Sequence, residues 1–240
     1  MDQPHRLVLR TKFHQRPTVS RGIILYARKT QQYLMVRRSQ SLEFTTLIRG
    51  AFRTAKLPFL IRGLYKNEIE KLSGFLSLSD EAITVNLAAF LEPDDIEFSL
   101  KKLTLARPHL IKLLALIKRD SPELDFRGWI FPRGREEIGE RDIDNALREF
   151  NEEAGLSLCA CSLVSSKPVI ETYLGTNDRL YETQYWVASI RHPRRVPTPP
   201  LEGEICDRRW VSEDEIRQIY PETMVNRIVK LAKRKPKRRA

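Results

Sequence analysis

Residues 134–156, GREEIGERDIDNALREFNEEAGL, constrain this chain more than any other stretch. Across residues 142–154, Ile143, Ala146, Leu147, Phe150 and Ala154 recur at helical spacing and make one apolar stripe that asks for a core. Glu149, Glu152 and Glu153 gather off that stripe at i, i+3 and i+4. Three carboxylates crowded on one helix repel each other, and no lysine is interspersed to relieve them. A hard divalent cation does relieve them, because Mg²⁺ and Mn²⁺ take oxygen ligands and share their remaining positions with waters and substrate phosphates. Gly155 is placed to end the helix at positive φ. Gly134 is read as the residue that lets the backbone turn tightly, with its carbonyl a further candidate metal ligand.

Written as a template, the stretch is Gly134, five residues, Glu140, seven residues, Arg148-Glu149-Phe150, one residue, Glu152-Glu153, one residue, then Gly155-Leu156. It resembles the Nudix box at every fixed position, and chance agreement is on the order of one in a billion per start site. The resemblance implies an α/β fold, the Nudix α/β/α sandwich with a mixed sheet. It implies Mg²⁺ or Mn²⁺ held by Glu149, Glu152 and Glu153. It also makes Arg148 the arginine that holds the catalytic helix and orients a neighbouring glutamate, with Glu140 as its partner.

Around the box the sequence pattern gives the order of elements. Residues 21–28 (RGIILYAR) and 32–38 (QYLMVRR) are β-prone runs that read as a hairpin opening the sheet. From residue 39 to 123 the texture turns helical, in SLEFTTLIRGAF, KNEIEKLSGFL, SDEAITVNLAAFL and PHLIKLLALIKRD, with Ser79 or Asp80 as an N-cap. The expected organisation is therefore a Nudix domain in two parts, 1–38 and 124–229, interrupted by an all-helical inserted domain at 39–123 and followed by a basic tail at 230–240. Residues 128–132 read as a strand leading into Gly134. Further strands are expected over 159–169, 170–174, 181–190 and 207–211. Ser212 with Glu215 matches a capping box for a helix to about residue 220, and a second helix covers 223–233.

Charge suggests the kind of partner. Residues 1–39 carry nine Lys or Arg against Asp2 alone, and residues 40–125 balance at twelve against twelve. The tail from Lys230 adds +7, which leaves residues 126–229 at −4. An acidic catalytic body with basic flanks suits a metal site that serves a polyanion. No apolar run approaches a membrane span, and the polar, basic first residues lack the apolar core of a secretory signal; the expectation is a protein inside the cell, with no membrane partner. Cys159, Cys161 and Cys206 do not make a metal knuckle and are expected as reduced thiols.

Within the Nudix family, Trp129-Ile130-Phe131-Pro132-Arg133-Gly134 resembles the approach to the box in mRNA-decapping enzymes, which usually have lysine where this chain has Arg133. LMVRRSQSLEFTTLIRGAF, a helical block and a delayed box resemble the decapping enzymes of large cytoplasmic DNA viruses, of the asfarvirus type. That likeness implies capped RNA as substrate, the host cytoplasm as the place of action with virion or nucleus as alternatives, and a role in host shutoff. It makes Glu204 the candidate general base or additional metal ligand, with Glu202 competing. Arg133 and Arg135 stand as phosphate contacts. Arg49, Arg53, Lys56, Arg62 and Lys66, together with Lys233, Arg234 and Lys235 of the tail, are candidates for a longer RNA track. Trp129, Phe131, Tyr181, Tyr185 and Trp186 are candidate stacking partners for a guanine base, although strand aromatics more often build core. Glu136 and Asp142 are weighed as neighbours of the metals. A diphosphoinositol polyphosphate or dinucleoside polyphosphate substrate is the alternative, a non-catalytic RNA-binding module is a second, and a homodimer is left open.

Overall fold

The computed structural model describes residues 16–117, 126–157, 161–175, 179–195, 197 and 203–234. β1 (Thr18–Ala27) and β2 (Gln32–Arg38) form the expected hairpin, with Tyr26 opposite Tyr33 and Ala27 opposite Gln32. β3 (Trp129–Ile130) pairs with β2, and β4 (Arg133–Arg135) pairs with the first half of β1. β5 (Ser162–Leu163) and β6 (Val169–Leu174) both pair with β7 (Leu180–Ile190), and β8 (Ile205–Val211) lies along β2. β1 and β7 run parallel for the whole length of β1, from Thr18 opposite Tyr181 to Ala27 opposite Ile190, while every other pairing is antiparallel. The sheet is therefore mixed.

Strand alternation divides the core into two layers. Ile23, Leu25 and Ala27 of β1 face one way, joining Leu34, Val36 and the buried stripe Ala146, Phe150 and Ala154 of α6 (Asp142–Ala154). Ile24 and Tyr26 face the other way, against α7 (Glu213–Ile219) and α8 (Glu222–Ala232), where Ile216, Val225 and Ile228 are fully covered. Ser212 and Glu215 close the expected capping box on α7. The result is the α/β/α sandwich.

Between β2 and β3 come α1 (Leu42–Ile48), α2 (Leu57–Gly63), α3 (Lys66–Leu76), α4 (Asp80–Leu87) and α5 (Pro93–Ala115). They share an apolar cluster of their own, built from residues such as Phe44, Leu47, Leu60, Leu72, Leu103 and Leu110. Glu68 is buried yet satisfied: Ser41 N–H donates to it at 2.6 Å, Ser41 Oγ at 2.6 Å and Tyr65 N–H at 2.8 Å, so one carboxylate ties the start of α3 to the cap of α1. Ser79 caps α4 as expected. Among the described residues the strand expected over 159–169 shrinks to the two residues of β5, with 164–168 irregular before β6. Two features of the helices differ from the sequence reading as well. α2 is an additional helix, and α5 is one continuous helix that starts at Pro93, well before the expected PHLIKLLALIKRD. Pro93 suits a first helical turn, Asp94 and Asp95 follow it there, and Pro108 falls on the exposed side of α5. No helix of the described residues is long and apolar enough to cross a membrane.

Candidate active site

α6 has the bounds its stripe predicts, and Gly155 closes it at φ +65°. Packing of Ala146, Phe150 and Ala154 fixes the helix rotation, and that rotation aims Glu149 and Glu153 at β4. A Cβ on Gly134 would stand 2.0 Å from Glu149 Cδ and 2.1–2.2 Å from both carboxylate oxygens. Gly134 is thus not a tight-turn residue, as the sequence reading had it. It lies within β4 opposite Arg21, and its missing side chain is what lets Glu149 approach the strand. Glu153, read from the sequence as one of three carboxylates gathered off the apolar stripe, is only 6% exposed, and its Oε2 accepts the Arg133 N–H at 2.7 Å.

Arg148 organises the acids. It reaches Glu140 Oε1 at 2.8 Å, Glu149 Oε1 at 3.0 Å and Glu152 Oε2 at 3.1 Å, and donates to the Arg135 carbonyl at 3.0 Å. Glu140 also accepts from Glu137 N–H at 2.9 Å and Asn145 Nδ2 at 3.1 Å, and the Arg148 hydrogen bond above all holds its carboxyl down at about 2. Burial pushes the other way at the metal-type acids. It raises Glu153 to about 7, and raises Glu149 against the pull of Arg148. The charge of Glu204, just before β8, adds a little to the rise at both Glu149 and Glu153. Arg38, at the end of β2, pairs with Glu204 and opposes the rise at Glu153.

The donors fit a hard divalent cation. All are carboxylate oxygens, and their mutual repulsion with partial burial is the imbalance such an ion corrects. As the side chains lie, no three acids among the described residues converge on one point, because Glu152 turns toward Arg148 and is 58% exposed.

The remaining sequence-predicted residues separate. Arg133 sends its guanidinium away from Glu149, to Thr183 Oγ1 at 2.5 Å and to the Tyr173 hydroxyl at 3.4 Å. Arg135, the last residue of β4, is exposed. Glu136 and Asp142 are held by the buried Arg21 at 2.5 and 2.7 Å, which ties the loop before α6 to β1 rather than to the acid cluster. Lys233 pairs with Glu213 at 3.6 Å, and with Arg234 it lies at the end of α8, on the sheet face opposite α6. Glu202, Lys235 and Cys159 fall outside the described residues. Trp129, Phe131, Tyr185 and Trp186 are buried core, whereas Tyr181 is half-buried and stacks on Tyr173 at 5.5 Å. Sequence reasoning missed Arg38, Arg21 and Asn145. Asn145, fully buried and bonded to the Arg135 carbonyl at 2.7 Å, left a faint signal as an amide next to the apolar stripe.

A family model described as NUDIX domain matches residues 107–233, more than half of the chain. The chain belongs to the Nudix family. It is a Nudix pyrophosphohydrolase, of a family that generally uses divalent metal ions such as Mg²⁺ or Mn²⁺. Among solved structures it is similar to a C. elegans Ap4A hydrolase binary complex at 14% identity, with 88% of this chain and 92% of that one covered and a TM-score of 0.41. It is similar also to the E. coli dihydroneopterin triphosphate pyrophosphohydrolase (12% identity, 89% and 92% covered, TM-score 0.41). A third is a Nudix hydrolase from Nitrosomonas europaea (16% identity, 92% and 93% covered, TM-score 0.41). No curated protein matches the chain.

Proposed function

We propose that this Nudix hydrolase removes the 5′ cap of mRNA, releasing methylated guanosine diphosphate and RNA with a 5′ monophosphate, in the manner of the viral decapping enzymes its sequence resembles. The observation that carries the reading is Glu204. The decapping resemblance singles out a late glutamate before a strand ending in tryptophan, and Glu204 stands there just before β8, paired with Arg38 of the neighbouring β2.

Glu149, Glu152 and Glu153 would hold Mg²⁺ or Mn²⁺, which when bound polarises the phosphate chain and acidifies a coordinated water. Glu204 is the base that takes the proton of the attacking water. The water oxygen bonds to the phosphorus of the cap-bearing diphosphate, the bond to the RNA-side phosphate oxygen breaks, and that phosphate leaves as the 5′ monophosphate. Arg38 holds Glu204 in place through their ion pair. Arg148 orients Glu149 from one side while Glu140 fixes Arg148 from the other.

The test is Glu204→Gln on RNA carrying a labelled cap. Turnover should fall by about two to four orders of magnitude, the range for a positioned proton acceptor, while RNA affinity stays within twofold of the parent. Unchanged turnover removes Glu204 from the chemistry. Faster hydrolysis of an inositol pyrophosphate than of capped RNA by the intact chain overturns the choice of substrate.

A further inference from the structure

A cleft of about 430 Å³ opens between the β2–β8 edge of the sheet and the start of α3. Arg37, Arg38, Lys66 and Asn67 line it, with Tyr65 in its floor and Glu70 as the acid on its wall. The environments of its two arginines differ. Arg38 is matched to Glu204, whereas the Arg37 side chain, though opposite Asp207 in the β2–β8 ladder, makes no hydrogen bond or ion pair among the described residues. Its guanidinium lies over the Tyr65 ring, 5.6 Å from the centroid, and its Nε is buried without a partner. A half-buried guanidinium left unmatched is costly unless an anion completes it. Tyr65 also fixes where the cleft lies: a Cβ on Gly128 would strike its ring at 2.3 Å, and Arg127 Nη1 donates to the Leu64 carbonyl at 2.7 Å, which pins the start of α3 to the sheet.

We propose that this cleft holds the backbone phosphates of the RNA chain next to the bond that is cut, with Arg37 as the phosphate clamp. The inference rests on the decapping reading for the identity of the polymer, and on the cleft alone for the anion. Position supports it, because Arg38 forms the cleft wall and contacts Glu204, so a strand leaving the catalytic carboxylates enters here first. Chemistry supports it too, because the planar fork of arginine suits phosphate and Lys66 and the amide of Asn67 stand within the same cleft.

Two variants separate binding from folding. Arg37→Gln removes the clamp. Asn67→Glu places a negative charge on an exposed side chain in the first turn of α3, where an acid favours the helix but repels phosphate. Fluorescence anisotropy with a labelled 5′-monophosphate RNA, in chelator so that turnover plays no part, should show each variant about tenfold weaker than the parent. The slope of log affinity against log salt should be shallower for Arg37→Gln by about 0.7, one single-strand phosphate contact. Methylated guanosine diphosphate, measured by competition, should lose less affinity than the RNA does. RNA affinity within twofold of the parent in both variants overturns the proposal, and so does equal weakening toward the nucleotide and the RNA, which would assign the cleft to the cap side. Loss of RNA binding in both variants while the intact chain fails to decap would leave the cleft standing and remove the decapping reading.

Discussion

Gly134→Ala is a substitution of a single methyl group that should damage chemistry and spare the fold. The new Cβ would meet the Glu149 carboxylate at 2.0–2.2 Å, so the carboxylate must retreat by about 1.4 Å before ordinary contact begins at 3.4 Å. The atoms it strikes belong to the end of a side chain rather than to backbone, and Gly134 sits in β4 without positive φ. The backbone therefore has no reason to move, and removing a glycine's freedom from the unfolded chain offsets part of any strain, by about 0.4–1 kcal/mol. Displacement of a metal-type glutamate by more than 1 Å is another matter, because misplacement on that scale costs about a hundredfold in rate. The expected outcome is kcat down about a hundredfold, with a melting temperature within a few degrees of the parent. Steady-state hydrolysis and thermal melts on the same preparation measure both. A Gly134→Ala protein with parental kcat would refute the claim that this glycine exists to admit Glu149. A protein that fails to fold would refute the claim that only the side-chain end gives way.

Phe150→Ala, at a fully buried position under the sheet, should cost about 3–5 kcal/mol in chemical denaturation; a loss under 1 kcal/mol would contradict its place in the core. Gly155→Ala puts a side chain at φ +65° with its Cβ 2.7 Å from Arg208 Nη1, so a loss of about 1–2 kcal/mol is expected, and an unchanged melt would deny the left-handed cap. Glu140 has its folded carboxyl held at about 2 against an ordinary 4.5, so the unfolded chain takes up the proton first on acidification. The stability it contributes is complete above about pH 4.5 and disappears as pH falls toward 2; denaturation across that window should be less acid-sensitive in Glu140→Gln, and parallel profiles would count against the Arg148 pairing. Arg148→Lys keeps the charge but not the fork that reaches Glu140, Glu149, Glu152 and the Arg135 carbonyl, and kcat should drop at least tenfold with KM moving little.

What the sequence disclosed follows from how local each feature is. α6 was readable to the residue because its apolar stripe, its acids and its glycine stop all lie within one helix. The β1–β2 hairpin and the α7 capping box are local in the same sense. α2 was missed because LPFLIRG is too short to show a period, and the start of α5 because EFSLKKLTL carries apolar residues on more than one side, Phe98 and Leu105 staying exposed. The burial of Glu153 was out of reach, since it depends on the Arg133 amide of a strand that only pairing with β1 brings alongside. Arg38 lay hidden for a similar reason: nothing near RRS in the sequence announces Glu204, which the β2–β8 ladder delivers to it. The role of Gly134 was misassigned because a glycine in a loop-like sequence suggests a turn, and the need for space appears only when Glu149 is in place.

The most direct measurement is hydrolysis of RNA with a labelled 5′ cap in Mg²⁺ or Mn²⁺ by the intact chain, Glu149→Gln and Glu153→Gln. The account predicts that the intact chain releases methylated guanosine diphosphate and that both variants, folded, lose that release. No release from the intact chain with metal present, or undiminished release from either variant, would contradict it.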